Sequence, residues 1–337
     1  MFYATTPAKA MLFGVSSNRR VTFFSGGSMS YPKPPTTVLK QIELLARRGM
    51  KVTEDAVHFL THIGYYRLRG YWIPFEETNP PDGEHRFREG TTFNDVLNLY
   101  VFDRELRLLV TDAIERIEVS VRNQWVDALT QGRGAHAYLD SELFLSQRQF
   151  GRCLAELSSE YDRSKETHIK HYKKKYGDPD LPPIWAAVDI MTLGQFSHWL
   201  SNLKSKALKS RIAKPYGLDA EVLCSFLHHL TVIRNICAHH GRLWNRRVTV
   251  TMKLPRSKPA ELAGVIDHGP DPNQAPRKIY NTLAVLAWFL DCICPEHHFR
   301  QRLTDLVNMH RIDTSAMGFP EGWRELEFWQ QESSKEE

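Results

Sequence analysis

Apolar positions along this chain recur mostly at helical spacing. The longest stretch follows Thr92, where Leu99, Phe102, Leu106, Leu109, Ala113, Ile117 and Ser120 step by three or four residues, an amphipathic stripe of about six turns. Asp103, Arg104, Glu105, Arg107, Glu115, Arg116 and Glu118 fall on the opposite face, and Gln131-Gly-Arg-Gly ends the pattern. Upstream, Val38, Ile42 and Leu45 predict a helix from Thr37 that Gly49 stops. Thr53-Glu-Asp opens another, with acids in the first turn where the helix dipole favours them, and Gly64 stops it. Further helices are predicted over 147–175, 184–201, 219–240, 277–292 and 296–311, with Pro183 at a first helical position and Asp219 as an N-cap. Val248-Thr-Val-Thr-Met is the best strand candidate, short and isolated. Without strand–helix alternation a parallel sheet is excluded, and the fold reads as all-α with few or no strands.

Four stretches divide the chain. Residues 1–30 mix Ser, Gly and Thr with isolated aromatics, and Arg19 and Arg20 follow the apolar patch rather than precede it. That argues against a secretory signal and for a disordered extension, with Met29 as an alternative start. Residues 31–90 form an N-terminal helical and aromatic segment, 91–312 a helical bundle with inserted basic helices, and 313–337 an acidic tail, solvated after about Trp329.

Composition narrows the class. Of 337 residues, 42% are hydrophobic and 25% charged, enough apolar surface to offset the entropy of ordering, so a wholly disordered chain is excluded. No run of eighteen apolar residues occurs, so no membrane span is expected. The five cysteines are odd in number and lack zinc-like spacing; a reduced, cytoplasmic protein without a structural metal is the expectation. The net charge of +5, from 44 Lys and Arg against 39 Asp and Glu, is too mild to identify a partner.

Its distribution says more. From Val222 through Pro259 there is no Asp or Glu, while seven Lys or Arg and four His occur there. Surface charges are usually interspersed, so this span suits a surface that meets an anion. Within it, Arg234 and His239 are five residues apart, pointing about 140° from one another on a helix that Gly241 should end. One helix does not easily aim both at a single phosphate, and a second helix, from another subunit or another part of the chain, would help complete such a site. An arginine can hold a phosphate bidentately and a histidine can shuttle protons, the minimum parts for RNA cleavage without a metal. Packing and solvation explain an Arg and a His on one helix equally well, and the residues alone leave both readings open. Two more basic stretches carry Lys170, Lys173, Lys174 and Lys175, and Lys204, Lys206, Lys209 and Arg211. Either is a solvated helix face or part of an RNA groove, where affinity sums over several phosphate contacts. The cluster of Tyr65, Tyr66, Tyr71 and Trp72 reads as core rather than base stacking, and Trp244 as a core anchor.

Arg234-Asn-Ile-Cys-Ala-His239 resembles the R-N-x-x-x-H signature of HEPN (higher eukaryotes and prokaryotes nucleotide-binding) domains, and the string on to Trp244-Asn-Arg is similar to the Abi-like, AbiD/AbiF-type abortive-infection branch. Tyr31-Pro-Lys-Pro-Pro, Gly64-Tyr-Tyr-Arg-Leu-Arg-Gly-Tyr-Trp, Phe102-Asp-Arg-Glu-Leu-Arg with Ile114-Glu-Arg-Ile-Glu, Tyr138-Leu-Asp and Leu193-Gly-Gln-Phe carry the same resemblance, which covers roughly residues 31 to 300. It implies a HEPN-type helical bundle that dimerises, placing two motifs across one cleft. It also implies a cofactor-free endoribonuclease leaving 2′,3′-cyclic phosphates, used in phage defence as a toxin and in some cases restrained by a small structured RNA. On that resemblance Arg234 contacts the scissile phosphate, His239 is the acid or base, and Asn235 orients a motif side chain or neighbouring helix. His240, Arg242, Arg246 and Arg247 are then RNA contacts. No second motif is apparent, because Arg122-Asn123 is followed by Asp127 where a histidine would be needed. A non-catalytic RNA-binding module and a scaffold whose motif only shapes an interface are the competing readings.

Overall fold

The structure, a computed structural model, describes residues 34–80, 83–270 and 277–330. The extension at 1–30 lies outside them. Three short helices lead: α1 (Val38–Arg47), α2 (Ala56–His62) and α3 (Tyr65–Trp72). The spine is α4 (Phe93–Thr130), 38 residues and so about 57 Å long. It is capped reciprocally: Thr92 Oγ1 accepts from the Asp95 amide at 3.1 Å, and the Asp95 carboxylate accepts from the Thr92 amide at 2.8 Å. Then come α5 (Gln147–Arg163), α6 (Thr167–Lys175), α7 (Ile184–Ile190), α8 (Leu193–Ser201), α9 (Lys206–Ala213), α10 (Ala220–Ala238), α11 (Ala260–Val265), α12 (Tyr280–Ile293), α13 (Phe299–Met309) and α14 (Glu327–Gln330). The fold is all-α. Among the described residues β pairing is confined to three isolated bridges, Lys51 with Thr92, Glu76 with Phe87 and Phe144 with Leu203.

Helix α12 is buried almost all round and lies along α4, which also carries α3, α9, α10 and α13. One continuous core results. Leu45, Leu60, Leu68, Tyr71 and Trp72 from the N-terminal segment belong to it together with Phe102, Phe226 and Phe289. Tyr161, Ile169 and Tyr172 form a small satellite core beneath α6.

Several sequence expectations need correction. The helix over 147–175 is two, because Ser164 and Glu166 are extended and the Ser164 hydroxyl accepts from the Glu166 amide. The helix over 184–201 is also two: Met191 is extended, and Thr192 with Gln195 forms a fresh capping box. Val248–Met252 is not a strand. The Val248 amide bonds to the Arg277 carbonyl and the Val250 carbonyl meets the His229 ring, so its backbone groups are satisfied without a ladder. The stretch from 313 is described and packed as far as 330, in keeping with a tail solvated only after about Trp329, and residues 331–337 lie outside the described residues. Its acids face outward, while Phe319, Trp323, Phe328 and Trp329 are buried and the Trp329 indole donates to the Tyr280 hydroxyl at 3.3 Å. No helix among the described residues is long and apolar enough to cross a membrane.

Candidate active site

Helix α10 buries Val222, Leu223, Phe226, Leu227, Leu230, Ile233 and Cys237, so Arg234, Asn235, Ala238 and His239 emerge together on its solvent side near the C-terminus. Arg234 Nη1 donates to Asn235 Oδ1 at 3.3 Å, which makes Asn235 the residue that steadies the guanidinium. Neither Arg234 nor His239 has an ion pair among the described residues, and no hydrogen bond joins the two.

The helix ends in a tight reversal. His239 is the C-cap, the His240 amide bonds to the Cys237 carbonyl at 3.0 Å, and the Gly241 amide bonds to the Ile236 carbonyl at 2.7 Å. These are the two bonds of a Schellman motif. Its left-handed position, given to glycine in most proteins, is taken by His240 at φ 56. Gly241 is required for a different reason: a Cβ there would stand 3.2 Å from the Ile236 carbonyl oxygen and 3.3 Å from Ile236 Cγ2.

The segment after the motif, Gly241 to Trp244, is held by a buried polar network whose charged members fall, by periodicity alone, on a solvated face. Asp103 on α4 is fully buried and Arg107 nearly so. Asp103 Oδ1 accepts from the peptide nitrogens of Leu243 at 2.9 Å and Trp244 at 2.7 Å. Its Oδ2 accepts from the Tyr71 hydroxyl at 2.6 Å and from Arg107. Arg107 also reaches the Gly241 carbonyl at 3.3 Å. Burial pushes the Asp103 carboxyl above its ordinary value, against the pull of Tyr71, Arg107 and the two peptide N–H groups. Burial and the adjacent Asp103 carboxyl raise the Tyr71 phenol as well. From the other side α3 clasps the same turn: Arg67 donates to the His240 carbonyl at 2.7 Å, and Arg242 donates to the Gly70 carbonyl. A cavity of about 620 Å³ opens beside the turn, lined by Arg67, Arg104, Ala238 and His240 among others.

The other expected contacts are scattered. Arg246 and Arg247 are exposed just beyond the network. Arg242 holds α3, and Trp244 is a buried anchor. On α6, Lys170, Lys174 and Lys175 are exposed, whereas Lys173 donates to the Tyr161 and Asp162 carbonyls and so caps α5. Lys209 donates to the Ser201 carbonyl at the end of α8, and Arg211 pairs with Asp127. Lys204, Lys206 and Lys209 line a separate cavity at the far end of α10. On α4, Glu118 pairs with Arg122 and Arg116 with Asp112. Among the described residues no group of three His, Cys, Asp or Glu could hold a metal ion.

An exposed Arg-Asn pair and a capping His stand at one helix end of this all-α protein, with a buried carboxylate holding the turn behind them. The chain belongs to the Abi-like protein family, whose family model matches residues 58–245, from within α2 to the residue after Trp244. That span includes every member of the network. No curated protein matches the chain, and no solved structure does. Membership suggests a function of the abortive-infection type.

Proposed function

We propose that this chain is an endoribonuclease that acts in abortive infection against phage, cleaving RNA at a site composed from two copies of the motif. The carrying observation is the contrast at the end of α10. Arg234 and His239 stand exposed and, among the described residues, without acidic partners, while a buried network holds the turn behind them. Rigid support under exposed, unpaired functional groups is what a preorganised site requires.

In this reading Arg234, steadied by Asn235, binds the scissile phosphate. One His239 takes the proton of the 2′-hydroxyl as its oxygen attacks phosphorus. The bond to the 5′-oxygen breaks, and the leaving oxygen takes a proton from a second His239. The products are a 2′,3′-cyclic phosphate and a free 5′-hydroxyl. Two protons move in opposite senses and one chain supplies one motif, so a homodimer completes the site. His240, Arg246, Arg247, Lys170, Lys174 and Lys175 supply contacts to the RNA, and a small structured RNA is a fitting restraint on such a surface.

The test is cleavage of cellular RNA in EDTA by wild type, Arg234→Ala and His239→Ala, with mapping of end chemistry and sedimentation of each protein. Cyclic-phosphate ends from wild type alone, with all three proteins dimeric, support the proposal. Cleavage retained by both variants overturns the assigned site, and RNA bound without cleavage by wild type replaces it with a binding module.

A further inference from the structure

At the N-terminal end of α10, about 20 Å along the helix from Arg234, lies a cavity of about 860 Å³. Its walls come from the loop before α9, α9 itself, the first turn of α10 and the loop before α11. Five cationic side chains line it, Lys204, Lys206, Lys209, Lys253 and Arg256, against the carboxylates of Asp219 and Glu221. Lys253 pairs with Glu221 at 2.5 Å. The Glu221 carboxyl is held below its ordinary value by the Lys253 hydrogen bond first, then by the charges of Lys253, Lys206 and Lys209, so these ammonium groups converge on one region. Lys204, Lys206 and Arg256 enter no side-chain hydrogen bond or ion pair among the described residues. With five cations facing two carboxylates, the lining is net positive.

Two further features shape what could fill the cavity. Asp219 through Val222, the start of the 19-residue α10, line the cavity, and the Asp219 side chain makes no cap hydrogen bond to the first turn. Beside the cations, Leu145, Val222, Leu254 and Pro255 form an apolar wall. The volume falls within the range of small-molecule sites. Along α9, Arg211 is turned to Asp127 and Lys209 is tied to the Ser201 carbonyl, which sets these two cations apart from Lys204, Lys206 and Arg256. A gathered cluster with an apolar wall fits a compact anion with an apolar part better than a long strand.

We propose that this cavity binds a nucleoside polyphosphate, its phosphates on Lys204, Lys206 and Arg256 and its base against Leu145, Leu254 and Pro255. The site is distinct from the Arg234 and His239 motif and does not depend on the activity proposed for it.

The experiment is calorimetric titration of the full chain with ATP, adenosine, tripolyphosphate and a short single-stranded RNA, repeated on the double variant Lys206→Gln/Arg256→Gln. Both substituted residues are exposed, and an unchanged thermal midpoint without ligand checks the fold. The expected result is saturable ATP binding, weakened at least tenfold in the double variant. Tripolyphosphate should bind several-fold more weakly than ATP, and adenosine not measurably. Absence of ATP binding at millimolar concentration, or ATP binding equal in both proteins, overturns the proposal. RNA binding that the double variant weakens while ATP fails to compete also overturns it, and returns these lysines to an RNA surface.

Discussion

Arg67 and His240 are joined across 173 positions of sequence, the guanidinium of one donating at 2.7 Å to the peptide carbonyl of the other. That carbonyl belongs to the left-handed residue that ends α10. The N-terminal helices are therefore part of the frame that fixes the motif's turn, together with Gly70, which accepts from Arg242.

The centre of this frame is Asp103. Replacing it as Asp103→Asn leaves the Arg107 cation buried without its counter-charge and should cost about 3 kcal/mol of unfolding free energy, read by urea denaturation. Hydrogen exchange at the Leu243 and Trp244 amides should accelerate beyond what that global loss explains. Unchanged protection at those two amides would show that the carboxylate does not hold the turn.

The reversal after α10 predicts substitutions of opposite sign. His240→Gly relieves a left-handed backbone at a residue with a Cβ and should stabilise the chain by up to ~1 kcal/mol. Gly241→Ala places a methyl against the Ile236 carbonyl and should destabilise by about 1–2 kcal/mol. Chemical denaturation of the two variants beside wild type checks both signs, and equal signs would refute the backbone account.

Periodicity makes the helical fold legible because its signal is local: α4 and its end at Gln131, the stops at Gly49 and Gly64, and the buried face of α10 all follow from spacing. Breaks set by one or a few extended residues, at Ser164 to Glu166 and at Met191, leave almost no mark on that spacing. The Thr192–Gln195 capping box is the available clue to the second. Val248–Met252 alternates like a strand, but a strand needs a ladder partner, and its backbone groups meet Arg277 and the His229 ring instead. Asp103 and Arg107 are misplaced by the pattern because charge at helical spacing reads as solvent. Their burial is set by Tyr71 and by amides 140 and 141 positions away. The recurrence of Phe102-Asp-Arg-Glu-Leu-Arg in the family resemblance is the one signal that could have found them. Exposure of Arg234, Asn235 and His239 follows from the α10 pattern itself.

Acid should weaken the fold through His229. Its ring is buried between the Val250 carbonyl at 2.6 Å and the Thr282 hydroxyl at 2.8 Å, and burial holds its pKa below the ordinary 6.5. The unfolded chain therefore binds the proton more readily than the native one. The stability contribution is complete above about pH 6.5 and falls as pH drops below it toward the depressed native value. His198, shifted down mainly by burial, adds the same sign. Thermal midpoints measured from pH 7 to pH 5 should decline, and His229→Gln should flatten part of that slope. A midpoint independent of pH over this window would contradict the assignment.

Neighbouring lysines on α6 should behave differently. Lys173 caps α5 and lies 4.4 Å over the Tyr161 ring, so Lys173→Ala should lose about 1 kcal/mol of stability. Lys174→Ala should leave stability within about 0.5 kcal/mol. If α6 meets RNA as proposed, Lys174→Ala should instead weaken binding uniformly across sequences and reduce the salt slope by about 1. Denaturation and salt-dependent RNA titration together separate the two roles.

The link between Asp103 and the amides of Leu243 and Trp244 also has a timetable. A ribosome must add the 140 residues between Asp103 and Leu243 before the first of those bonds can form, an interval of roughly 7–28 s at ordinary elongation rates. Throughout it the aspartate waits without the amides it will hold. Arg234 and His239 are added shortly before Leu243 and Trp244, and a product released between His239 and Leu243 carries both side chains without the two amide bonds to Asp103. If the chain is the endoribonuclease proposed above, the order of synthesis delays the finished site until the chain has passed residue 244.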